Sequence, residues 1–333
     1  MKSHGKNISE IKWSPAGFHF LGPEDALQRR KLLDKIYWFF KEKGYVEVIP
    51  PGFDFSSSFS HYVSLSEQGK ILKTRDLAGS EISPSIDLTI QVVKGMAGFA
   101  MKQGIQRIFY TGKVVKDNFK SSGERREFTQ AGAEILGHSN GNAFKMLLSQ
   151  VDSLHKLLEV SGKWTIVLGN TSVFSMITEY LKLNKQNKEI LSRLLYSKDI
   201  FNLEQFLDEY VSKKDIKYFL KKIILSMEED ELNKELLNIS AKYKLKLEDC
   251  INESNGILQY SNKNLDSLDV CLDYSLIRDM DYYTGFVFHG YAEGLANPVI
   301  MGGAYDHLFE EFSGVSKRAC GYAINIDMLE ELV

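Results

Sequence analysis

The stretch REFTQAGAEILG (Arg126–Gly137) has the two-residue period of a β-strand, and its two faces differ in character. One face carries the small apolar residues at alternate positions of Ala131–Ile135, which suit packing against helices. The other face carries Gln130 and Glu134 on either side of Gly132. This pattern predicts a sheet strand with a helical layer on one side.

Gln130 and Glu134 allow two interpretations. Four residues of strand cover roughly 13 Å, and Gly132 would leave an open floor between the two polar groups. Such a floor could hold both ends of a small zwitterion. A strand face that points to solvent explains the same residues, and the residues alone leave both interpretations open.

The segments around this strand predict a partner strand and flanking helices. QRIFYTGKVV (106–115) predicts a strand that a polar loop joins to REFTQAGAEIL (126–136), which favours an antiparallel pair. Helical spacing of apolar residues predicts a helix over Glu24–Lys43, with Pro23 at its start and Gly44 past its end. The same patterns predict a strand at 45–55 stopped by Pro50 and Pro51, helices at 87–103 and 142–160, and a strand at 164–170.

The pattern changes near residue 173. Residues 173–260 are rich in Leu, Lys, Glu and Asn, contain no proline and have helical periodicity, so we predict a small helical insertion there. Three strand-like runs follow at hairpin spacing, at 268–277, 281–291 and 297–305. A helix at 305–312, a strand at 318–324 and a short helix come after them. We therefore predict an α+β fold, an antiparallel sheet flanked by helices, with a core of 1–172 and 261–333.

Composition narrows the class of function. The 333-residue chain has 44% hydrophobic residues and a net charge of −3, which supports a sizeable core and gives no overall basic footprint for nucleic acid. The three cysteines form no CxxC pair and the seven histidines have no metal-ligand spacing, so we expect no metal and no cofactor. No stretch resembles a signal peptide or a membrane span, so we expect a cytoplasmic protein.

Three further stretches carry polar residues or glycines that a pocket could use. In SPSIDLTIQ (83–91), Asp87 and Thr89 could cap a helix, or Asp87 could hold an ammonium group. In IMGGAYDHLFEEF (300–312), the paired glycines allow either a close backbone approach or a tight turn. In IRDMDYYTGFVFHGY (277–291), the arginine and two aspartates do not suit a buried strand unless they face a partner or a polar ligand.

Together and in order, these pieces resemble the catalytic core of the histidyl-tRNA synthetases, which have a class II synthetase fold. They look most like the non-catalytic relatives of those enzymes, the regulatory subunits of ATP phosphoribosyltransferase. The resemblance covers nearly the whole chain apart from the helical insertion. It rests on GYVEVIPPGFD (44–54) for the dimer-forming motif 1, GERREFTQAGAEILG (123–137) for motif 2, RDMDYYTGFVF (278–288) for the histidine signature RGLDYYTGTVF, GGAYDHL (302–308) for GGRYDGL, and ACGYAINIDML (319–329) for motif 3.

The departures from the synthetase motifs favour the non-catalytic relatives. Lys116 stands where the synthetases have the motif 2 arginine that grips the ATP α-phosphate, and Asn118 replaces a nearby glutamate. Met328 replaces the motif 3 arginine, Asp327 its neighbouring glutamate, and Ala304 the arginine of GGRYDGL. A lysine is a point charge and a methionine has none, so the resemblance implies that adenylation is lost and that there are no catalytic residues. The chain stops just after motif 3, so we expect no tRNA partner.

The resemblance also implies a site for histidine. Asp87 and Thr89 match positions that hold the α-ammonium group, whereas Gln130 and Glu134 match motif 2 positions that contact histidine. Arg278 matches an arginine that assists at the α-phosphate, so it could support residual catalysis, or it could equally pair with the histidine carboxylate. The expected histidine-binding residues are Asp87, Thr89, Lys116, Gln130, Glu134, Arg278, Tyr282, Tyr283, Gly302 and Gly303.

The resemblance implies a regulatory subunit rather than an enzyme. The expected partner is a short-form ATP phosphoribosyltransferase catalytic subunit, in a hetero-octamer of four plus four, with self-association through motif 1. The expected role is activation of that subunit and histidine feedback in the first step of histidine biosynthesis. Two alternatives stay open. One is a truncated synthetase-like enzyme that activates histidine with ATP, and the other is a paralogue with another amino-acid ligand, which Ala304 and Lys116 keep open.

Overall fold

The computed structural model describes residues 14–63, 68–100, 105–117, 125–138, 142–225, 229–277 and 282–333. Its helices are α1 (Pro23–Glu42), α2 (Ser56–Ser60), α3 (Leu88–Ala100), α4 (Asn142–Leu158), α5 (Thr171–Tyr180), α6 (Lys185–Tyr196), α7 (Ile200–Tyr210), α8 (Lys214–Lys222), α9 (Glu229–Tyr243), α10 (Leu247–Asn264), α11 (Asp306–Ser313) and α12 (Ile326–Leu329). Its strands are β1 (Val46–Glu47), β2 (Phe53–Phe55), β3 (Thr74–Arg75), β4 (Glu81–Pro84), β5 (Gln106–Val115), β6 (Glu127–His138), β7 (Trp164–Asn170), β8 (Leu268–Leu272), β9 (Phe286–Tyr291), β10 (Ile300–Ala304) and β11 (Arg318–Asn325).

An eight-stranded sheet in the order β1-β5-β6-β11-β10-β9-β7-β8 forms the centre of the molecule. Its strands pair antiparallel except at the two edges, where β1 is parallel to β5 and β8 is parallel to β7. The predicted α+β class and the antiparallel pairing of β5 with β6 are therefore confirmed. The hairpin prediction for the first of the three late strand-like runs is wrong, because β8 pairs with β7 rather than with β9.

The predicted strand at 45–55 is divided between two sheets. Val46 and Glu47 add to the edge of the large sheet, whereas Phe53–Phe55 pairs with β4 in a small sheet of order β2-β4-β3. Pro50 and Pro51 lie between the two pieces. Since proline donates no backbone hydrogen bond, a continuous ladder through this segment is disfavoured.

The face of the large sheet that α1 and α4 cover holds the main core. Ile36 and Phe40 of α1 and Leu147 and Val151 of α4 are buried in the same cluster as Ala133 of β6. Helix α1 begins with a proline and two acidic residues in its first turn, which suits the positive end of the helix dipole. The prediction that the small apolar face of β6 packs on helices is confirmed.

The opposite face of the sheet packs against α3 and α11. Leu88 and Val92 of α3 and Leu308 of α11 share a buried cluster with Ile108 and Tyr110 of β5. This is the face that carries Gln130 and Glu134, because their partners on β5 are Gly112 and Ile108. On this face Glu134 is fully buried and Gln130 is half-buried, so the face does not simply point to solvent.

Helices α5 to α10, which lie between β7 and β8 in the chain, form a third cluster of buried apolar residues. Its buried residues run from Val173 to Ile251 and include Tyr274 and Ile277 beyond the helices. Helix α10 joins this cluster to the main core, where it contributes Ile257. The helical nature predicted for this region is confirmed, and its treatment as a separate insertion stays a prediction.

The packing around Gly321 generates a stability prediction. A Cβ atom on Gly321 would overlap the Glu134 side chain and lie 2.6 Å from the carbonyl oxygen of Ala133. We expect Gly321→Ala to lower the free energy of unfolding by about 1–3 kcal/mol, the usual cost of overpacking a core.

Gly256 provides the matched control, because the nearest atom to a Cβ at this position of α10 is Lys145 Nζ at 4.0 Å. Gly256→Ala should stabilise the protein by about 0.5–1 kcal/mol through helix propensity. Urea unfolding followed by circular dichroism measures both changes. A Gly321→Ala protein as stable as the wild type would contradict the described packing.

Candidate functional site

Tyr110 fills the space above Gly132. The two residues are cross-strand partners, and a Cβ atom on Gly132 would overlap the tyrosine hydroxyl and lie 2.9 Å from Tyr110 Cε2. The ring therefore lies across the glycine, between the two polar residues of β6. The expectation that Gly132 leaves an open floor is wrong, because a side chain from the neighbouring strand occupies it.

The Tyr110 hydroxyl links three residues that were predicted to bind a ligand. It donates to Glu134 Oε1 at 2.9 Å and lies 3.0 Å from Thr89 Oγ1. Gln130 Nε2 donates to the same hydroxyl at 3.4 Å. The fold thus brings α3, β5 and β6 together around one oxygen atom.

Glu134 is fully buried, and both of its carboxyl oxygens are hydrogen-bonded. Tyr110 binds Oε1, and the hydroxyl of Tyr305 donates to Oε2. Burial raises the pKa of Glu134 to about 8, although the hydrogen bonds from Tyr305, Tyr110 and Thr89 act in the opposite direction. A pKa of about 8 favours the neutral acid over the carboxylate at neutral pH.

Asp87 lies at the start of α3 and uses its two oxygens differently. Oδ1 accepts a hydrogen bond from the backbone N–H of Ile90 at 3.0 Å, so the predicted helix cap is confirmed. Oδ2 accepts a hydrogen bond from the hydroxyl of Tyr282 at 3.1 Å. One carboxylate oxygen of Asp87 therefore caps α3, and the other binds Tyr282.

The tyrosines form one wall of this region. Tyr282 is buried, with its ring centroid 4.7 Å from that of Tyr283 and 6.1 Å from that of Tyr305. The ring of Tyr283 lies against Gly303, where a Cβ atom would come within 2.5 Å of Tyr283 Cε1. The close approach considered for this glycine is confirmed.

Gly302 faces the other side of the sheet. A Cβ atom there would lie 2.6 Å from Phe288 Cε1 and 2.8 Å from Tyr322 Cβ, both in the main core. The expectation that Gly302 lines the pocket is wrong, because consecutive residues of a strand point to opposite faces.

Lys116 directly follows the end of β5 that is away from Glu134. The backbone N–H of Lys116 donates to the carbonyl of Arg126 at 2.8 Å. Arg126 is eight residues before Glu134 in the chain, which is roughly 26 Å of extended strand. Arg278 and Asn118 lie outside the described residues.

The region that corresponds to motif 3 contains a buried ion cluster. Asp327 accepts hydrogen bonds from Arg29 at 2.8 Å, from Arg125, and from the backbone N–H of Thr129 at 2.6 Å. Glu330 accepts two more from Arg29, one of them at 2.6 Å. The arrangement ties α1, β6 and α12 together, and Met328 packs against the main core beside it.

Sequence reasoning missed Tyr110 and Tyr305 as members of the site. A signal for Tyr110 was present, since it falls opposite Gly132 if the two strands pair around their loop. A signal for Tyr305 was its place directly after the GGA segment of a recognised signature. Neither position shows by itself that the two hydroxyls meet on Glu134.

The arrangement suits a small ligand with several hydrogen-bond donors. Glu134 and Asp87 supply carboxyl oxygens in two hydrogen-bonded groups, and Thr89 and Gln130 supply further polar atoms to the group around Tyr110. Across the described parts of the chain, no group of three or more His, Cys, Asp and Glu side chains is placed to hold a metal ion. None of the described helices combines the length and apolar character that crossing a bilayer requires.

Comparison with known proteins adds family relationships to this geometry. The histidyl-tRNA synthetase family model matches residues 17–329. An ATP phosphoribosyltransferase regulatory subunit of Leptospira interrogans is 44% identical over 97% of this chain and 94% of its own length. One from Clostridium botulinum is 29% identical over 95% of this chain and 75% of its own length.

Solved structures show the same fold at lower identity. A Bacillus halodurans protein described as an ATP phosphoribosyltransferase regulatory subunit/histidyl-tRNA synthetase superposes with a TM-score of 0.80 at 20% identity, covering 97% of this chain and 83% of its own. A histidine–tRNA ligase subunit of Alicyclobacillus acidocaldarius gives 0.78 at 19% identity, covering 96% of each chain. The predicted class II synthetase-like fold is confirmed.

The burial of Glu134 predicts a pH-dependent stability. Its folded-state pKa of about 8 lies above the ordinary value, so the acid favours the folded state at low pH, and this contribution is lost as the pH rises through 8. Relative to Glu134→Gln, the wild type should lose roughly 1 kcal/mol of unfolding free energy per pH unit between pH 5.5 and 7.5.

Urea unfolding of both proteins at three pH values in this range measures the difference. Glu127→Gln is the control on the same strand, because Glu127 pairs with Lys113 at 3.0 Å and is partly exposed. Parallel pH profiles for the wild type and Glu134→Gln would show that Glu134 ionises normally.

Proposed function

The chain belongs to the ATP phosphoribosyltransferase regulatory subunit family, and from this premise we propose that it binds L-histidine at the Glu134 site. Through that site it controls a separate ATP phosphoribosyltransferase catalytic subunit in the first step of histidine biosynthesis. The proposed function is therefore regulatory, and histidine is the proposed ligand.

One observation carries the histidine proposal. Residues predicted from three distant segments meet in two hydrogen-bonded groups: Thr89 and Glu134 are joined through Tyr110, and Asp87 is joined to Tyr282. Asp87 suits the α-ammonium group of an amino acid, and Glu134 suits an imidazole N–H donor. Gln130 joins the first group through Tyr110 and supplies an amide that can both donate and accept.

Arg278 has the proposed role of holding the carboxylate side of the ligand. Support for this role comes from the family resemblance and from its positive charge. Lys116 is not given this role, because its backbone N–H binds Arg126, roughly 26 Å of extended strand from Glu134.

The ion cluster around Asp327 supports a non-catalytic role. In the position of the synthetase motif 3 arginine the chain has Met328, and the preceding Asp327 is held by Arg29, Arg125 and Thr129. Asp327 is buried. A segment that is saturated with internal hydrogen bonds and lacks the arginine offers little electrostatic stabilisation to a reacting phosphate.

The proposed partner is a short-form catalytic subunit, in a cytoplasmic hetero-octamer with four copies of each chain. Support comes from the names of the relatives, which are regulatory subunits. Feedback requires that histidine bind two states of the assembly with different affinity.

The second candidate function is histidine activation by a truncated synthetase-like enzyme. The match of the synthetase family model over residues 17–329 favours it. ATP–pyrophosphate exchange with the purified protein separates the two candidates, because a regulatory subunit should show no exchange above background. Robust exchange that depends on histidine would replace the regulatory proposal.

The proposed self-association surface lies at motif 1. Trp38, Val46 and Ile49 are more than half exposed although all are apolar, and β1 is an edge strand of the large sheet. Phe53 and Phe55 of β2 are half exposed next along the chain. Apolar side chains concentrated beside two sheet edges are typical of a surface that another chain covers.

Reconstitution tests the regulatory proposal. Adding this protein to a short-form catalytic subunit should produce ATP phosphoribosyltransferase activity, and histidine should inhibit that activity. Glu134→Ala should still activate, but it should need roughly 10–100 times more histidine for inhibition, since losing a hydrogen bond to a charged group costs about 1–3 kcal/mol.

Glu127→Ala serves as the control, because Glu127 pairs with Lys113 at the far end of β6. A catalytic subunit whose activity is unchanged by this protein would overturn the regulatory role. An unchanged inhibition constant in Glu134→Ala would mean that histidine acts at another site.

Substitution of Ile49 tests the self-association surface. Ile49 is 84% exposed, so Ile49→Asp should leave the fold intact while placing a charge in the proposed interface. Sedimentation velocity should then show a shift toward the monomer. Phe201→Asp on α7 is the control, because Phe201 is also apolar and 70% exposed but lies outside the proposed surface. Equal sedimentation of both variants and the wild type would place the interface elsewhere.

A further inference from the structure

We propose that Glu134 transfers its proton to the imidazole ring of the bound histidine, so that the complex holds a single proton shared by the two groups. This inference rests on the proposed histidine site and adds a pH-dependent form of regulation to it. It concerns the protonation state that the pocket selects, which neither the fold nor the family relationship determines.

The geometry supplies an acid in an enclosed position. Glu134 is 0% exposed, and its two oxygens bind the hydroxyls of Tyr110 and Tyr305. Among the described residues, no lysine, arginine or histidine forms an ion pair with it, whereas Glu127 of the same strand pairs with Lys113. Burial removes hydration from the Glu134 carboxyl group, and lost hydration destabilises the carboxylate form.

The other titratable groups around Glu134 keep one charge state over the relevant range. Burial raises the pKa of Tyr110, Tyr305 and Cys320 well above their ordinary values, so these groups stay neutral. Tyr45 and Tyr322 behind β6 are also kept neutral by burial, which raises the pKa of each. The nearby Asp87 adds negative charge, which further favours the protonated form of Glu134.

A neutral imidazole changes this balance when it enters. Its ring nitrogen accepts the proton, the O–H bond of Glu134 breaks and an N–H bond forms on the ring. The products are a carboxylate and an imidazolium, and no external acid or base is consumed. The ion pair is then stabilised by the tyrosine hydroxyls that already bind both carboxyl oxygens and favour the charged form.

The proton count predicts how affinity depends on pH. Free imidazole has an ordinary pKa of about 6.5, and the pKa of Glu134 in the free protein is about 8. Affinity should be highest between these values and fall about tenfold per pH unit on either side. Binding should release about one proton near pH 5.5, exchange almost none near pH 7.2 and take up about one near pH 9.

Calorimetric titration of the whole protein with L-histidine tests this proposal. Titrations at these three pH values, each in two buffers of different ionisation enthalpy, give the number of protons exchanged. Glu134→Gln is the matched variant, because it keeps the shape and removes the acid. We expect it to bind histidine about 10–100 times more weakly at pH 7.2.

Glu134→Gln also distinguishes the protons that Glu134 exchanges from those that the ammonium group of the ligand exchanges. That group loses its proton at high pH in both proteins, so only the part of the proton uptake near pH 9 that Glu134→Gln lacks belongs to Glu134. A triazole analogue of histidine, whose ring is much less basic, should likewise lack this part of the uptake on binding to the wild type. Urea unfolding of the variant at pH 7.2 confirms that it is folded.

The outcomes distinguish this inference from the function on which it rests. Histidine binding with the same proton exchange in the wild type and in Glu134→Gln would overturn the shared proton and leave the regulatory function intact. No binding of histidine to the wild type at any of the three pH values would overturn both. If the wild type takes up about one proton more than Glu134→Gln on binding histidine near pH 9, the proposal is supported.

Discussion

The burial of one carboxyl group organises the site and much of the sheet around it. Glu134 reaches over Gly321 on the next strand, where any side chain would overlap it. On its other side Tyr110 crosses Gly132 to reach the same carboxyl group. A buried acid is stable only with hydrogen-bond partners, so the surrounding strands supply two hydroxyls and leave room for them with glycines.

A second polar cluster stabilises the neighbouring end of the sheet by other means. Arg29, Arg125 and Asp327 form a charged network, in which opposite charges and a backbone N–H satisfy one another. Asp327 is the buried member of this network that binds both arginines, so removing it would take an ion-pair partner from each, although Arg29 would still pair with Glu330. The same segment in an ATP-dependent enzyme has to present charge to a nucleotide, whereas here its charge is used within the fold.

The two clusters lie in regions that differ in which polar groups they contain. The region of the predicted amino-acid site keeps polar groups around an enclosed carboxyl, whereas the region of the predicted nucleotide site has Lys116 and Met328 in place of arginines. A fold can keep a recognition site while losing the groups that catalysis requires, because fold and chemistry depend on different residues. The proposed regulatory function uses the part that was kept.

The sequence by itself determined the element types and the faces of β6, because alternation and helical spacing are local patterns that each segment carries alone. Its motifs also predicted that Asp87, Thr89, Gln130 and Glu134 belong to one site. The tertiary structure decided that Tyr110 and Tyr305 contact Glu134, that Gly302 faces the main core and that β8 runs beside β7. Tyr305 lies 171 residues from Glu134 in the chain, so no local pattern reports their contact. The charge state of Glu134 depends on its burial and on these neighbours, which exist only once the strands have paired.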